Sequence, residues 1–442
     1  MVQMHLQTLS VLALLLTASS VHALPLSTRS RWIIDALSGT RVKLKCVNWA
    51  GHMEVMVPEG LDKQPLHNIA AKVASLGFNC VRLTWATYMF TQPNDTRLTV
   101  SKSFESLGLL TARNGIYKNN PSLLNLTLIE AQAAVVDELG KNGLMVVLDN
   151  HVSKPMWCCS DNDGNGFFGD NYFDPTEWVQ GLNLVAAKYK GKSQVVGMSL
   201  RNELRGRKQN ELDWHRYMQE GAKTISNANP DLLVIASGLS YDSTLGFLRN
   251  SSLRIDLADK LVYEVHRYSF TAGGRQNWLV HPLNQVCGNV KNQFEDQAGF
   301  LLNSSNPVPL FVSEFGVDQR GVNQADNRFL SCFLSLIAEK DLDWALWALQ
   351  GSYYLKNGNV GPEETYGVLD STWTTPRDKA FKRHYGLLLN MIQGGCARVE
   401  RRFLVHIGDC RRRSHWSYDR QSGRIRLMGT SLCLRVAGNG CR

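Results

Sequence analysis

The stretch from Val195 to Glu203, VVGMSLRNE, decides how this chain of 442 residues is organised. It begins as an apolar strand of the kind buried on both faces, and it ends in the polar pair Asn202 and Glu203. An apolar strand has no structural use for a carboxylate at its end, because burying an unpaired charge is costly. We therefore interpret Asn202 and Glu203 as groups placed for chemistry on the rim of a sheet.

A second stretch repeats this design more than a hundred residues later. Residues 309–316, PLFVSEFG, again form an apolar strand that ends in a glutamate, Glu314. Two carboxylates at the ends of two buried strands are the groups that two-carboxylate glycoside hydrolysis requires. The pair Glu203 and Glu314 is therefore our working hypothesis for the catalytic centre.

Eight apolar segments with strand character recur along the chain, and we expect a helical stretch after each. The strands are predicted at residues 44–49, 79–84, 144–149, 195–198, 232–237, 261–266, 309–316 and 344–347. The helices are predicted near residues 66–75, 129–139, 176–189, 214–226, 324–337 and 377–391. Apolar strands alternating with helices indicate a parallel sheet covered on both faces, and eight such units favour a closed (β/α)8 TIM barrel over an open α/β sheet.

The polar residues that follow these strands agree with a barrel. Those at or just past a predicted strand end are Arg82, His151, Asn202, Glu203, His266, Tyr268, Glu314 and Trp347. The carboxyl ends of barrel strands converge on one face, where active sites are built. We therefore expect these eight side chains to form one site.

At this point the chain resembles glycoside hydrolase family 5, the cellulase and mannanase-type family of retaining (β/α)8 barrels. The resemblance covers about residues 31–393 and rests on the strand-end residues above. Two motifs match closely: VYEVHRY at residues 262–268 and VSEFG at residues 312–316. The long loops after the second and third strands look most like those of the plant secreted members.

The resemblance implies a role for each residue. Glu203 would be the general acid/base, protonated at rest, and Glu314 the nucleophile of a double displacement. Arg82 and Tyr268 would keep Glu314 ionised and oriented. Asn202 would bind the sugar 2-hydroxyl, and His151 and His266 would orient groups around the scissile bond. Trp347 would be the stacking platform for the sugar on the non-reducing side.

Several alternatives remain open at this level. The barrel can be an inactive carbohydrate-binding protein, or a transglycosylase that uses the same site. His151 and His266, together with Asp149, can be metal ligands, although we expect neither a metal nor a cofactor. The sequence does not choose between β-1,4-glucan, mannan, xyloglucan or a small glycoside, nor between endo and exo action. Trp49, Trp85, Trp157 and Trp278 can line sugar subsites or pack in the core.

The N-terminus predicts export. Residues 1–23 have the short apolar core and the small-residue cleavage site, VHA, of a signal peptide. Four glycosylation triplets follow, at Asn94, Asn125, Asn250 and Asn303, and the cysteines number ten. We expect a secreted, extracellular protein of the cell wall or apoplast, monomeric and with no membrane segment after signal cleavage. An oligosaccharide or polysaccharide is the expected partner, and no nucleic acid.

The cysteines and one acidic loop call for separate predictions. We expect Cys287 to pair with Cys158 or Cys159, and Cys46 and Cys80 to be buried thiols. The loop at residues 161–166, DNDGNG, begins like a calcium loop, but Tyr172 stands where such a loop has its glutamate. We therefore interpret this loop as a series of turns.

The hydrolase domain is predicted at residues 24–393, and the composition of the chain changes after it. Residues 396–442 contain 11 arginines and three acidic residues, so this tail carries +8 of the formal net charge of +9. The run from His415 to Leu434 resembles a ricin-type lectin repeat, a partial β-trefoil. A β-trefoil needs three such repeats, and 47 residues cannot bury a core of their own. Cys410 and Cys433 are a candidate disulfide.

Overall fold

Eight parallel strands close into a barrel in the computed structural model, which describes residues 25–250, 253 and 257–390 and the backbone of three short strands within residues 416–434. The barrel strands are β1 (Lys45–Trp49), β2 (Cys80–Ala86), β3 (Met145–Val152), β4 (Val195–Ser199), β5 (Leu233–Ala236), β6 (Leu261–Arg267), β7 (Leu310–Phe315) and β8 (Asp343–Leu346). They follow one another in chain order around the barrel, and β8 pairs with β1. The predicted (β/α)8 barrel is confirmed.

Helices surround the barrel. The α-helices are Leu66–Ser75, Tyr88–Thr91, Pro93–Thr96, Val100–Ser106, Leu110–Asn119, Leu128–Lys141, Pro175–Lys188, Glu211–Ala228, Arg275–Val280, Leu283–Gln297, Gln324–Lys340, Phe381–His384 and Gly386–Leu389. Short 3-10 helices span Pro121–Leu123, Gly246–Arg249 and Gly299–Leu302. The boundaries follow local chemistry: Thr127 and Glu130 form a capping box at the start of Leu128–Lys141.

Two helix predictions were wrong. The strand β5 is followed by the 3-10 helix Gly246–Arg249, and no α-helix lies between β5 and β6 in the described part of that connection. The helix predicted near residues 377–391 is two short helices, Phe381–His384 and Gly386–Leu389. The regular alternation of strands and helices predicted the first of these helices, and local hydrophobic spacing predicted the second. In both places the described chain covers its strand with short helical segments and irregular chain instead.

The barrel interior changes from apolar to polar along the strands. Alternate residues of a strand face the same side, so the inward positions of β2 include both Cys80 and Arg82. Near the amino ends, the inward side chains form an apolar cluster that includes Cys46, Cys80, Val147 and Phe311. The hairpin formed by Leu26–Arg29 and Trp32–Asp35 contributes Leu26 and Ile33 to this cluster and closes that end of the barrel. The inward positions further along the strands are therefore free to carry polar groups.

The described disulfides differ from the predicted ones. Cys46 and Cys80 are bonded to each other, because both are inward residues opposite one another on neighbouring strands. Cys158 pairs with its neighbour Cys159. Cys287 lies in the outer helix Leu283–Gln297, away from that pair, and is bonded to Cys332 of the helix Gln324–Lys340.

The terminal predictions lie largely outside the described residues. The signal peptide at residues 1–23 is one of them, as is the proposed disulfide between Cys410 and Cys433. In the tail, the strands Trp416–Asp419, Arg424–Leu427 and Cys433–Leu434 form an antiparallel sheet. The lectin resemblance stays a prediction. Among the described helices, none is long and apolar enough to cross a membrane.

Candidate active site

Arg82 is the charged centre of the polar end of the barrel. Its side chain is fully buried, and its guanidinium lies 2.7 Å from Glu314 Oε1, 3.0 Å from Asp149 Oδ1 and 3.7 Å from Glu264 Oε2. Burial lowers the pKa of Arg82, but the three carboxylates outweigh that effect and raise it above its usual value. The guanidinium is therefore a permanent positive charge beneath the site.

Glu314, at the end of β7, is held on both carboxylate oxygens. Arg82 donates to Oε1, and the hydroxyl of Tyr268 donates to Oε2 at 2.8 Å. Burial raises the pKa of Glu314 above its usual value, and the positive charge of Arg82 offsets part of this rise. The carboxylate is thus oriented by two donors on different strands, which a nucleophilic group requires.

Glu203 follows β4 and has a different environment. Its backbone adopts a φ of 41°, in the left-handed region, and its amide donates to Asp242 Oδ2 at 3.0 Å. Burial raises the pKa of the Glu203 carboxyl to about 7, although the charges of Arg205 and Arg82 lower it. The site therefore contains one carboxyl group that keeps a substantial protonated fraction near neutral pH and another that is held by a cation.

His266 lies between the two glutamates. Its Nδ1 is 2.8 Å from Glu203 Oε1 and 3.7 Å from Glu314 Oε2, and its Nε2 is 3.1 Å from Ser313 Oγ. Burial lowers the pKa of His266 to about 4, so the imidazole is neutral at ordinary pH. A neutral ring orients Glu203 by a hydrogen bond and adds no charge to the site.

The remaining side of the site is formed by Asn202, His151 and Trp347. Asn202 Oδ1 accepts a hydrogen bond from Arg82 at 3.1 Å, and its amide nitrogen lies 3.4 Å from His151 Nε2. The other ring nitrogen of His151 is 2.6 Å from Asp149 Oδ2. Trp347 stacks on His151 with ring centroids 5.6 Å apart and an interplanar angle of 14°. All eight residues selected from the sequence therefore lie in one site.

The spacing of the two glutamates limits the chemistry. One carboxylate oxygen of Glu203, one of Glu314 and a ring nitrogen of His266 all lie within 4.8 Å of one another. Carboxyl groups about 5–5.5 Å apart suit direct attack by one of them on a sugar carbon, whereas about 6.5–9.5 Å is needed to fit a water between them. The observed separation falls on the short side.

Besides Asp149, further buried residues contact this network and were not among the eight selected. Asn48 of β1 accepts a hydrogen bond from Arg82 at 2.9 Å, and Glu264 of β6 faces the same guanidinium. Asp242 holds the Glu203 amide, and the His52 ring stacks on His151 at 3.9 Å. A polar residue inside an apolar strand was an available signal for Asn48 and Glu264. No such signal marks Asp242 or His52, which lie in loops.

Two features of the sequence suggested ion binding: the histidines with Asp149, and the acidic loop at residues 161–166. Among the described residues, the groups with metal-ligand spacing are Glu203–His266–Glu314 and Cys158–Cys159–Glu203, and neither contains His151 or Asp149. In the loop that begins like a calcium site, the Asp163 carboxylate forms an ion pair with Arg205. It also accepts hydrogen bonds from the backbone amides of Ser160 and Asn165.

Of the four candidate tryptophans, only one reaches the site. Trp49, Trp85 and Trp278 are fully buried and pack in the core. Trp157 is half-buried and packs on Trp347. A tryptophan in a loop after a barrel strand can meet the site or the core, and the sequence alone did not separate these outcomes.

The barrel and its paired glutamates define the protein as a glycoside hydrolase. The family described as Cellulase (glycosyl hydrolase family 5) matches residues 39–352. A "Glycosyl hydrolase 5 family protein" of Chamaecyparis obtusa is 45% identical over 460 residues, which cover 98% of this chain and 82% of the relative. The chain belongs to glycosyl hydrolase family 5.

The chain is also similar to more distant proteins. An endoglucanase of Paenibacillus polymyxa is 22% identical over 365 residues, covering 79% of this chain and 83% of the relative. The solved structure of the endocellulase of Pyrococcus horikoshii in complex with cellotetraose has a TM-score of 0.64 and 19% identity. That likeness covers 83% of this chain and 98% of the other, and it establishes the fold.

Proposed function

We propose that the protein is a secreted, retaining β-glycosidase that hydrolyses a β-linked glucan. The observation that carries this proposal is the pair Glu203 and Glu314, whose carboxylate oxygens approach within 4.8 Å beside a neutral His266. The short separation supports a covalent glycosyl-enzyme intermediate, since a water molecule has little room between the two groups.

Each residue has a defined part in this mechanism. Glu203 acts in its protonated form, which the raised pKa of about 7 keeps populated near neutral pH, and donates its proton to the glycosidic oxygen as the leaving sugar departs. Glu314, held by Arg82 and Tyr268, attacks the anomeric carbon. In the second step Glu203, now ionised, removes a proton from the water that releases the sugar from Glu314. Asn202 binds the 2-hydroxyl, and Trp347 stacks on the sugar ring.

The relatives support a glucan as the substrate class. The Paenibacillus polymyxa protein is named an endoglucanase, and the Pyrococcus horikoshii structure holds cellotetraose. A β-1,4-glucan is therefore the first substrate to test, with β-mannan and xyloglucan as comparisons.

Several features support secretion. The described residues contain three disulfides, and disulfides persist in oxidising compartments. The four candidate glycosylation sites, Asn94, Asn125, Asn250 and Asn303, are all exposed, as glycan attachment requires.

The test is sugar release from a panel of β-glucans, β-mannan and xyloglucan by the wild type, Glu314→Gln and Glu203→Gln. The amides keep the volume of the carboxyls, and Glu339→Gln, an exposed glutamate on an outer helix, is the control. We expect release from a β-glucan that Glu314→Gln abolishes and Glu339→Gln leaves unchanged. NMR of the first product should show the anomeric configuration of the substrate.

Three results would contradict the proposal. An inverted first product would exclude the covalent intermediate. Binding of glucan without any sugar release would favour the inactive carbohydrate-binding protein, and longer products than the substrate would favour the transglycosylase.

A further inference from the structure

The site is covered unevenly. On the side of β8, β1 and β3, Trp347 is 7% exposed, His151 3% and His52 0%. On the side of β4 and β6, the Glu203 side chain is 14% exposed, and Phe270, which stacks on Tyr268 at 5.0 Å, is 50% exposed. In the proposed function Trp347 stacks on the sugar ring, and the family resemblance places that sugar on the non-reducing side of the scissile bond. The covered side is therefore the glycone side, and the open side faces the leaving group.

Trp157 covers the glycone side. It lies in the loop that follows β3, yet its ring packs edge-on against Trp347 at 6.5 Å and against Tyr353 at 5.6 Å, both of which follow β8. It also packs on the cluster formed by Ala50 and Met53, which follow β1. One side chain thus joins three loops across the barrel mouth.

Lys356 contacts the rings of both Trp157 and Tyr353. It lies in the hairpin formed by Leu355–Lys356 and Asn359–Val360, and its ammonium group lies 3.5 Å from the centre of the Trp157 ring and 4.5 Å from that of Tyr353. Glu364 accepts from both Lys356, at 3.1 Å, and the Tyr353 hydroxyl, at 2.7 Å. A cation over an aromatic face is attractive, more so when it is partly removed from water. We refer to Trp157, Tyr353 and Lys356 as the cross-loop wall.

Beside the wall, the loop after β1 carries an unsatisfied polar atom. The Nδ1 atom of His52 is 2.7 Å from Thr84 Oγ1, but its buried Nε2 has no hydrogen-bond partner among the described residues. Burying such a group without a partner costs free energy, so the loops cover this side even though a hydrogen bond is lost. The His52 ring is 0% exposed, which shows how completely this end is closed.

We propose that the cross-loop wall closes the glycone side of the cleft, so that the enzyme removes single sugars from the non-reducing ends of β-glycan chains. This inference rests on the proposed hydrolysis and specifies where along a chain it occurs. Rings in contact leave no gap for a second sugar beyond the one on Trp347. A polymer can therefore extend only past Glu203, towards Phe270.

The experiment compares the wild type with Trp157→Ala and Lys356→Ala. The matched control is Lys154→Ala, which removes a lysine from the loop that carries Trp157. The ammonium of Lys154 lies 4.2 Å from the centre of the Tyr172 ring, outside the wall. Each protein is given an aryl β-glucoside, which needs only one glycone sugar, together with cellopentaose and a soluble β-glucan. The readouts are aryl release, the first oligosaccharide products, and the fall in viscosity per bond cleaved.

In the wild type we expect glucose as the first product of cellopentaose, with viscosity almost constant while reducing ends accumulate. In Trp157→Ala the viscosity loss per bond cleaved should rise by about tenfold, because a second sugar gains contact energy beyond Trp347. Lys356→Ala should change in the same direction by a smaller factor. Lys154→Ala should match the wild type in all three readouts. Trp157→Ala removes a packing neighbour of Trp347, so its aryl glucoside turnover can fall; the products and the viscosity loss per bond cleaved, not the rates, decide the outcome.

The outcomes separate this inference from the proposed function. A wild type that cleaves the aryl glucoside but releases mixed oligosaccharides and thins the polymer rapidly would overturn the wall and leave the chemistry intact. Unchanged products in Trp157→Ala would also overturn it. A wild type inactive on all three substrates would refute the proposed hydrolysis and this inference with it.

Discussion

Tyr268→Phe is the sharpest test of how Glu314 is held. The substitution removes one hydroxyl, which donates to Glu314 Oε2 at 2.8 Å, and keeps the buried ring in place. A hydrogen bond to a charged group contributes about 1.5–3 kcal/mol. Since about 1.4 kcal/mol corresponds to a tenfold change in rate, kcat/KM should fall by about 10- to 150-fold. The assay is initial-rate kinetics on the aryl β-glucoside.

The same change should also move the pH profile. A donor to the ionised form keeps the pKa of a carboxylate low, so its loss raises the pKa of Glu314. The acidic limb of kcat/KM should therefore move upward by about 1–2 pH units, because one unit corresponds to about 1.4 kcal/mol. A residue that only fills space would leave this limb in place.

Tyr366→Phe is the matched control for Tyr268→Phe. Tyr366 packs edge-on against Tyr268 with centroids 6.3 Å apart, but its hydroxyl donates to Asp326 Oδ2 at 3.1 Å. We expect its kcat/KM to stay close to that of the wild type. An equal loss in both variants, or an unchanged pH profile in Tyr268→Phe, would refute the reasoning.

Three further predictions concern the acid group, its titration and the outer helices. Glu203→Ala should lower kcat on the polymer by about 10²–10⁴-fold, and by less on a dinitrophenyl glycoside, because that leaving group needs little protonation. Added azide should yield a glycosyl azide, detected by mass spectrometry. Equal losses of kcat on both substrates would contradict the role of Glu203 as general acid. Because a general acid must be protonated and the pKa of Glu203 is about 7, kcat/KM of the wild type should fall tenfold per pH unit above that value, and Glu203→Gln should lack this limb. Replacing Cys287 and Cys332 by serine removes a disulfide between residues 45 positions apart. The free energy of unfolding, measured by denaturant titration, should fall by about 2–4 kcal/mol. The value of kcat/KM should stay unchanged, because both cysteines lie on outer helices.

The network around Arg82 explains why the site tolerates so many buried acids. Asp149, Glu264 and Glu314 share one guanidinium, and Asp242 lies nearby, with its Oδ2 3.6 Å from His266 Nε2. Burial raises the pKa of Glu264 to about 7 and that of Asp242 well above its usual value. A raised pKa increases the neutral fraction of both groups, which reduces the repulsion that Glu203 and Glu314 experience.

The sequence alone predicted the barrel and the eight site residues, because both depend on short-range patterns. The alternation of apolar strands and helices is visible along the chain, and a polar residue after an apolar strand stands out without any tertiary information. For Arg82 and His266, the strand period then determined that both side chains face the barrel interior.

Contacts between distant loops and strands were decided only by the tertiary structure. Cys46 and Cys80 bond because two strands align them, and Asp242 meets Glu203 because a loop after β5 folds back to it. The cross-loop wall joins residues 157 and 356, which no local pattern connects. Periodicity encodes which way a side chain points within its own strand, whereas partners brought together by loop packing depend on how the whole chain closes.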